Sequence, residues 1–360
     1  MRESFIPRLR QKFTSNANWY NNRAVWTVLA LITIIAVNRI ISPNFFQIKM
    51  VNDRLIGSPI NILDGAAPIL LLSIGMTLVI ATEGVDLSVG AVMAISAAVG
   101  VVMINKHEAG ATEFYYQPAF VILAALAAGA LCGLWNGILV AFLDIQPIVA
   151  TLILMTSGRG IAQMITDGQS PTFTNDTLAF IGRGVIFGLP FTIYLYVGML
   201  ILTIILVRRT AIGLLVESVG INDRASFYAG INAALVKVLV YVVSGVCAAI
   251  AGLVMAGEVK SADPHKNGEW AELDAILAVV IGGTALSGGR FSLVLSAVGA
   301  LIIQSLLTGL YVSDLHPTAN LVVKALVVLL VLLIQSTEFR YYVSRLFRTK
   351  TLARLIRSKA

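Results

Sequence analysis

Long stretches with no ionisable side chain constrain this chain more than any other feature. Residues 66–82 carry no charge, and neither do 87–104 or 118–143. A helix rises about 1.5 Å per residue, so roughly 20 apolar residues cross the ~30 Å hydrocarbon layer of a membrane. Inside lipid every backbone N–H and C=O needs a partner within the protein, and a helix supplies one. Of the 360 residues 58% are hydrophobic and 12% charged, whereas soluble domains hold about 45–50% apolar and ~25% charged residues. A soluble fold cannot hide that much apolar surface. The sequence predicts an all-α membrane protein of about ten transmembrane helices. They fall at 24–42, 66–82, 87–104, 118–143, 147–165, 189–207, 233–256, 273–289, 292–312 and 319–336.

Lysine and arginine set the orientation, because short cytoplasmic segments retain them. Arg2, Arg8, Arg10, Lys12 and Arg23 precede the first span, and Arg340, Arg345, Arg348, Lys350, Arg354, Arg357 and Lys359 follow the last. Both termini are therefore expected in the cytoplasm, which requires an even number of spans. Residues 1–23 read as a cytoplasmic tail, too long and polar for a cleaved signal. Residues 24–336 read as the transmembrane domain and 337–360 as a basic cytoplasmic tail. Segment 208–232, with Arg208, Arg209 and Arg224, falls on the same inner side. The net charge of +7 is gathered at the ends and signals no nucleic acid. Cys132 and Cys247 lie in apolar runs as small hydrophobes. His107, His265 and His316 lie far apart in outer loops, so no metal site is expected, nor any cofactor.

The chain has no G-x-x-x-x-G-K-[ST] phosphate loop. "GGTALSGGR" at 282–290 lacks the following Lys-Ser/Thr and reads as a broken helix and tight turn, with Gly282, Gly283, Gly288 and Gly289 as its punctuation. No acid or base stands clearly in mid-span, where a proton-driven carrier would keep one. Gly129, Gly133 and Gly137 recur every fourth position, as do Ala248, Gly252 and Ala256, and such stripes read as helix-packing seams. Asp86 and Asp274 each precede a span and read as N-caps. Glu83 follows a span, where the helix dipole disfavours an acid. It is expected on a short inner turn near water, with a local structural task. In 208–232, Asn222 or Asp223 is an N-cap for a short helix over Arg224 to Ala229, ended by Gly230.

Five strings in order then resemble the sugar-permease subunits of ATP-binding-cassette importers, the ribose and galactose group, with wording nearest the galactofuranose permeases. They are "GVDLSVGAVMA" at 84–94, "GLWNGILVA" at 133–141, "IQPIVATLILMTSGRGIAQ" at 145–163, "VGINDRASFYAGI" at 219–231 and "ELDAILAVVIGGTALSGGR" at 272–290. The resemblance implies ten helices per subunit, no enzymatic activity in this chain, and a bacterial inner-membrane location. It implies three protein partners: a second permease, related or identical; a cytosolic ATPase; and a periplasmic sugar-binding protein. It marks Glu83, Asp86, Ser88, Gly90, Glu272 and Asp274 as motif positions, with the four glycines of 282–289. It makes 208–232 the ATPase-coupling loop, through Gly220, Asn222, Asp223, Ala225, Phe227, Tyr228 and Gly230. Sugars offer hydroxyls and apolar ring faces, so Asn136, Gln146, Thr151 and Gln163, polar residues in apolar spans, are candidates for the sugar path. One departure is Glu83, where the family usually has Gly, which suggests a position with almost no room for a side chain. A secondary carrier or channel, or a permease for nucleosides or branched-chain amino acids, is the alternative.

Overall fold

A helix apolar on every side has no solvent face, and in a bundle it belongs at the centre. The computed structural model describes residues 23–51 and 53–312, with single residues and short pieces between 322 and 333. Its helices are α1 (Arg23–Ile41), α2 (Ser58–Gly65), α3 (Ala67–Ala81), α4 (Val89–Glu108), α5 (Pro118–Ala141), α6 (Pro147–Ile165), α7 (Asp176–Arg183), α8 (Phe191–Arg209), α9 (Ile212–Ile221), α10 (Asp223–Tyr228), α11 (Ala233–Val259), α12 (Ala271–Ile281) and α13 (Leu293–Val312). Helices α3, α4 and α11 take the centre, and nearly all of α3 is buried. The periphery includes α1 and α8, whose outer faces are exposed and apolar.

The small-residue stripes are the seams that bring α11 against its neighbours. A Cβ on Gly133 of α5 would lie 2.2 Å from the Tyr241 carbonyl oxygen, and one on Gly252 of α11 would lie 2.4 Å from that of Met93 on α4. Only glycine permits either approach. With no hydrophobic drive between helices in lipid, this close backbone packing is what holds the bundle.

The all-α membrane architecture is as the sequence predicts, and the count of about ten spans is approximate. Among the described residues seven helices are long and apolar enough to cross a membrane, or eight if α2 and α3, bent by 42°, count as one. Window 273–289 is not a full span. Helix α12 has 11 residues, about 16 Å by helix rise, and it ends where Gly282 and Gly283 begin the broken stretch. Window 319–336 lies for the most part outside the described residues, as do both predicted tails.

Two short antiparallel hairpins, β1 (Lys49–Val51) with β2 (Arg54–Ile56) and β3 (Val185–Ile186) with β4 (Leu189–Pro190), cap one end of the bundle. They are joined by a bond from the Leu55 amide to the Gly188 carbonyl, 2.8 Å. At the opposite end lie the 82–88 turn, α9 and α10.

Candidate functional site

The turn between α3 and α4 is folded into the bundle. Asp86 is 1% exposed, and a carboxylate withdrawn this far needs several donors. One of its oxygens accepts from the Ser88 amide (3.0 Å) and the Ser88 hydroxyl (2.6 Å); the other accepts from the Ser244 hydroxyl of α11 (2.8 Å). Asn136 of α5 donates to the Ser88 hydroxyl at 2.8 Å. The Val85 carbonyl faces the hydroxyls of Tyr241 and Thr151, each at 3.4 Å. Asp86 is therefore not an N-cap. Helix α4 opens at Val89 after Ser88, with no side-chain cap bond, and the carboxylate ties the turn to α5 and α11 instead. The sequence offers no hint of Ser244, one of several serines in apolar helices. Gly90, next along, packs on Gly268 and Glu272, where a Cβ would come within 2.3 Å of the Gly268 carbonyl oxygen.

Glu83 itself points out to solvent. Room for a side chain is not what this position lacks. Its φ is +62°, the left-handed region that glycine enters freely and other residues enter at a cost. The sequence expectation of a crowded site is replaced by a backbone explanation.

The 208–232 segment holds two helices where the sequence predicts one. The unpredicted helix is α9. The short helix α10 begins at Asp223, with Asn222 as its cap: the Asn222 side-chain oxygen accepts the Ala225 amide at 2.9 Å. Gly230 follows at φ +85°. Asp223 is bonded to Lys237 of α11, and Ser226 faces inward. Ala225 is exposed, Phe227 is 70% exposed and Tyr228 is 87% exposed. Gly220 at the end of α9 meets α3 so closely that a Cβ would lie 1.7 Å from the Ala81 carbonyl oxygen. That oxygen accepts the Gly289 amide at 2.9 Å. Three remote stretches, ending α3, ending α9 and following α12, thus meet at one point beside the 82–88 turn.

The path candidates do not gather at one place. Asn136 and Thr151 are fully buried against residues 85–88. Gln146 is exposed and lines a cavity of about 330 Å³ with Glu83, Asp144, Asp223, Lys237 and Tyr241. Gln163 is half-buried farther along α6.

Beyond α11 the charged residues behave otherwise than their spacing suggests. Asp274 is the fourth residue of α12, inside the helix, and forms an ion pair with Lys324. It is not an N-cap either. Lys324 falls inside window 319–336, so an apolar window does carry a base. Arg159 of α6 donates to the carbonyls of Pro264, His265 and Asn267 and so holds the loop before α12. In that loop burial alone would push the Asp263 carboxyl up, but amide bonds from His265 and Lys266 and the nearby Lys266 charge hold it below its ordinary value. Among the described residues no three His, Cys, Asp or Glu side chains converge to hold a metal.

Residues 58–332 match a family described as the permease component of the branched-chain amino acid transport system. The chain belongs to that family of transport permeases. It is 52% identical over 312 residues to the galactofuranose transporter permease YtfT of Escherichia coli K12, covering 87% of this chain and 89% of that one. It is 37% identical to the fructose import permease FruF of Bifidobacterium longum, over 92% and 93% of the two chains. It is 35% identical to the ribose import permease RbsC of Haemophilus influenzae, over 85% and 90%. No solved structure matches. These relatives are transporter subunits, and the chain is a multi-pass membrane permease of the same kind.

Proposed function

We propose that this permease forms the translocation path of an ATP-binding-cassette importer for a neutral monosaccharide, galactofuranose or a related pentose or hexose, in a bacterial inner membrane. A second permease completes the path, a cytosolic ATPase supplies the energy, and a periplasmic binding protein delivers the sugar. The 52% identity to a galactofuranose permease supports the sugar class over the amino acids of the family's description. The basic residues of 208–232 support an inner position for α10.

The observation that carries the mechanism is the setting of α10. A six-residue helix is unstable alone in water, yet this one is capped by Asn222 and braced by Asp223 to Lys237. Its exposed residues, Ala225, Phe227 and Tyr228, form a small docking face. Through Gly220, movement of that face reaches Ala81 and then the turn clamped by Asp86. A packed junction of this kind transmits displacement because it has no slack to absorb it.

Replacing Ala225 by Trp tests the reading. The variant is expected to insert normally, to lose ATPase in pull-down and to cut sugar uptake at least about tenfold, which corresponds to ~1.4 kcal/mol of docking energy. Normal ATPase recovery with normal uptake would remove α10 from the mechanism. Competition by leucine, isoleucine or valine for uptake would favour the amino-acid reading.

A further inference from the structure

Helix α8 reaches its Arg208 end with an exposed apolar flank of Ile201, Leu202, Ile205 and Leu206. Beside that end, α9 and the start of α13 enclose a cleft of about 380 Å³, whose lining includes Ile204, Arg208, Leu214, Glu217, Phe291 and Val294. The size is that of a small-ligand site. Gly213 keeps α9 close to α8, since a Cβ there would lie 2.4 Å from the Val207 carbonyl oxygen.

One cation and one anion line the same space. Among the described residues the ion pairs are Arg54–Asp64, Lys237–Asp223, Lys260–Asp176 and Lys324–Asp274, and neither Arg208 nor Glu217 takes part. Glu217 is half-buried, and no side chain or amide among the described residues donates to it. A ligand with opposite charges a few ångströms apart satisfies both residues together. Arginine binds phosphate by a two-pronged set of N–H bonds. A carboxylate accepts N–H bonds from a primary ammonium and receives none from a quaternary one. The apolar lining runs from Ile204 onto the exposed flank of α8, so the same ligand has an apolar portion lying along the helix.

We propose that this cleft binds a glycerophospholipid with a phosphoethanolamine headgroup, its phosphate on Arg208, its ammonium on Glu217 and its acyl chains along α8. An anionic glycerol headgroup offers Glu217 only neutral hydroxyls and brings a net negative charge beside it, and a choline headgroup offers no N–H.

The test uses the intact importer complex in nanodiscs holding equal amounts of dioleoyl phosphatidylethanolamine, phosphatidylcholine and phosphatidylglycerol. Lipid retained after detergent extraction is counted by native mass spectrometry. Phosphatidylethanolamine should be retained about tenfold over each of the others, the ratio one charge-assisted hydrogen bond supports. Glu217→Gln, whose neutral amide oxygen accepts a weaker bond, should narrow the preference for phosphatidylethanolamine over phosphatidylcholine while lipid is still retained, and Arg208→Gln should reduce retention of all three. Val294→Trp, from an exposed position, should fill the cleft and displace the lipid in a complex that still assembles, which decides the matter if the charge variants do not fold. Equal retention of phosphatidylethanolamine and phosphatidylcholine by the unaltered complex would overturn the proposal. So would a preference for phosphatidylglycerol, a preference unmoved by Glu217→Gln, unchanged retention in Val294→Trp, or cross-linking of Val294 to the ATPase or the second permease in place of lipid.

Discussion

Glu83 and Asp86 stand three residues apart and obey different physics. Glu83 holds a left-handed backbone at φ +62° with its side chain in solvent. That conformation costs a non-glycine residue of order 1–3 kcal/mol, and glycine returns part of the gain through its freer unfolded chain. Glu83→Gly should therefore raise the apparent melting midpoint in detergent, by a net of about 1 kcal/mol; an unchanged or lower midpoint would show that the strain is absent. Asp86 is the reverse case, a buried acceptor for three bonds from Ser88 and Ser244. Asp86→Ala strands those donors and should lower stability by about 3 kcal/mol, with Asp86→Asn recovering part of it. A thermal scan of the two variants separates this from a helix cap, whose loss costs only ~1 kcal/mol. The sequence carries both acids plainly and their roles hardly at all. Glu83 was legible as an oddity because the motif favours glycine there. The role of Asp86 depends on Ser244, far along the chain, and local spacing cannot supply a partner of that kind.

At the scale of elements, local chemistry made α10 readable: Asn222, Gly230 and the flanking arginines mark it without any tertiary information. Helix α9 was not readable, because Ile212–Ile221 is short, lies among loop signals and is held by its contact with α3 and α8 rather than by strong caps. Helix α12 misled in the other direction. Its apolar run continues through Gly282 and Gly283, but the helix stops there as the chain turns toward Ala81. The Gly220 contact gives the test at this scale. A methyl at 1.7 Å from the Ala81 carbonyl forces backbone movement, and overpacking of this kind costs about 1–3 kcal/mol. Gly220→Ala should lower the melting midpoint and reduce sugar-stimulated ATP hydrolysis in the assembled importer. An unaffected ATPase rate would show that α9 moves independently of α3.

Across the whole molecule, hydropathy gives the membrane class and most of the spans, and it is blind to charge that the bundle neutralises internally. Lys324 and Asp274 each retain 15% side-chain exposure and pair with one another. Removing one partner from a mostly buried pair leaves the other uncompensated. Lys324→Met alone should cost about 3 kcal/mol, and the double change with Asp274→Leu should cost less than that. Additive losses, read from melting midpoints of the two single variants and the double, would mean that the pair is not coupled.

The meeting of Ala81, Gly220 and Gly289 also has a consequence for biosynthesis. Its three strands of chain leave the ribosome far apart in time, and the contact cannot close until the last of them has been threaded into the membrane. On the proposed reading, the ATPase-docking helix is therefore capped by Asn222 and braced by Lys237 before its link to the 82–88 turn is locked. A chain that stalls or is cut before Gly289 would keep that helix but lack the Gly289 bond to Ala81, leaving a motor loosely geared to an unfinished pore.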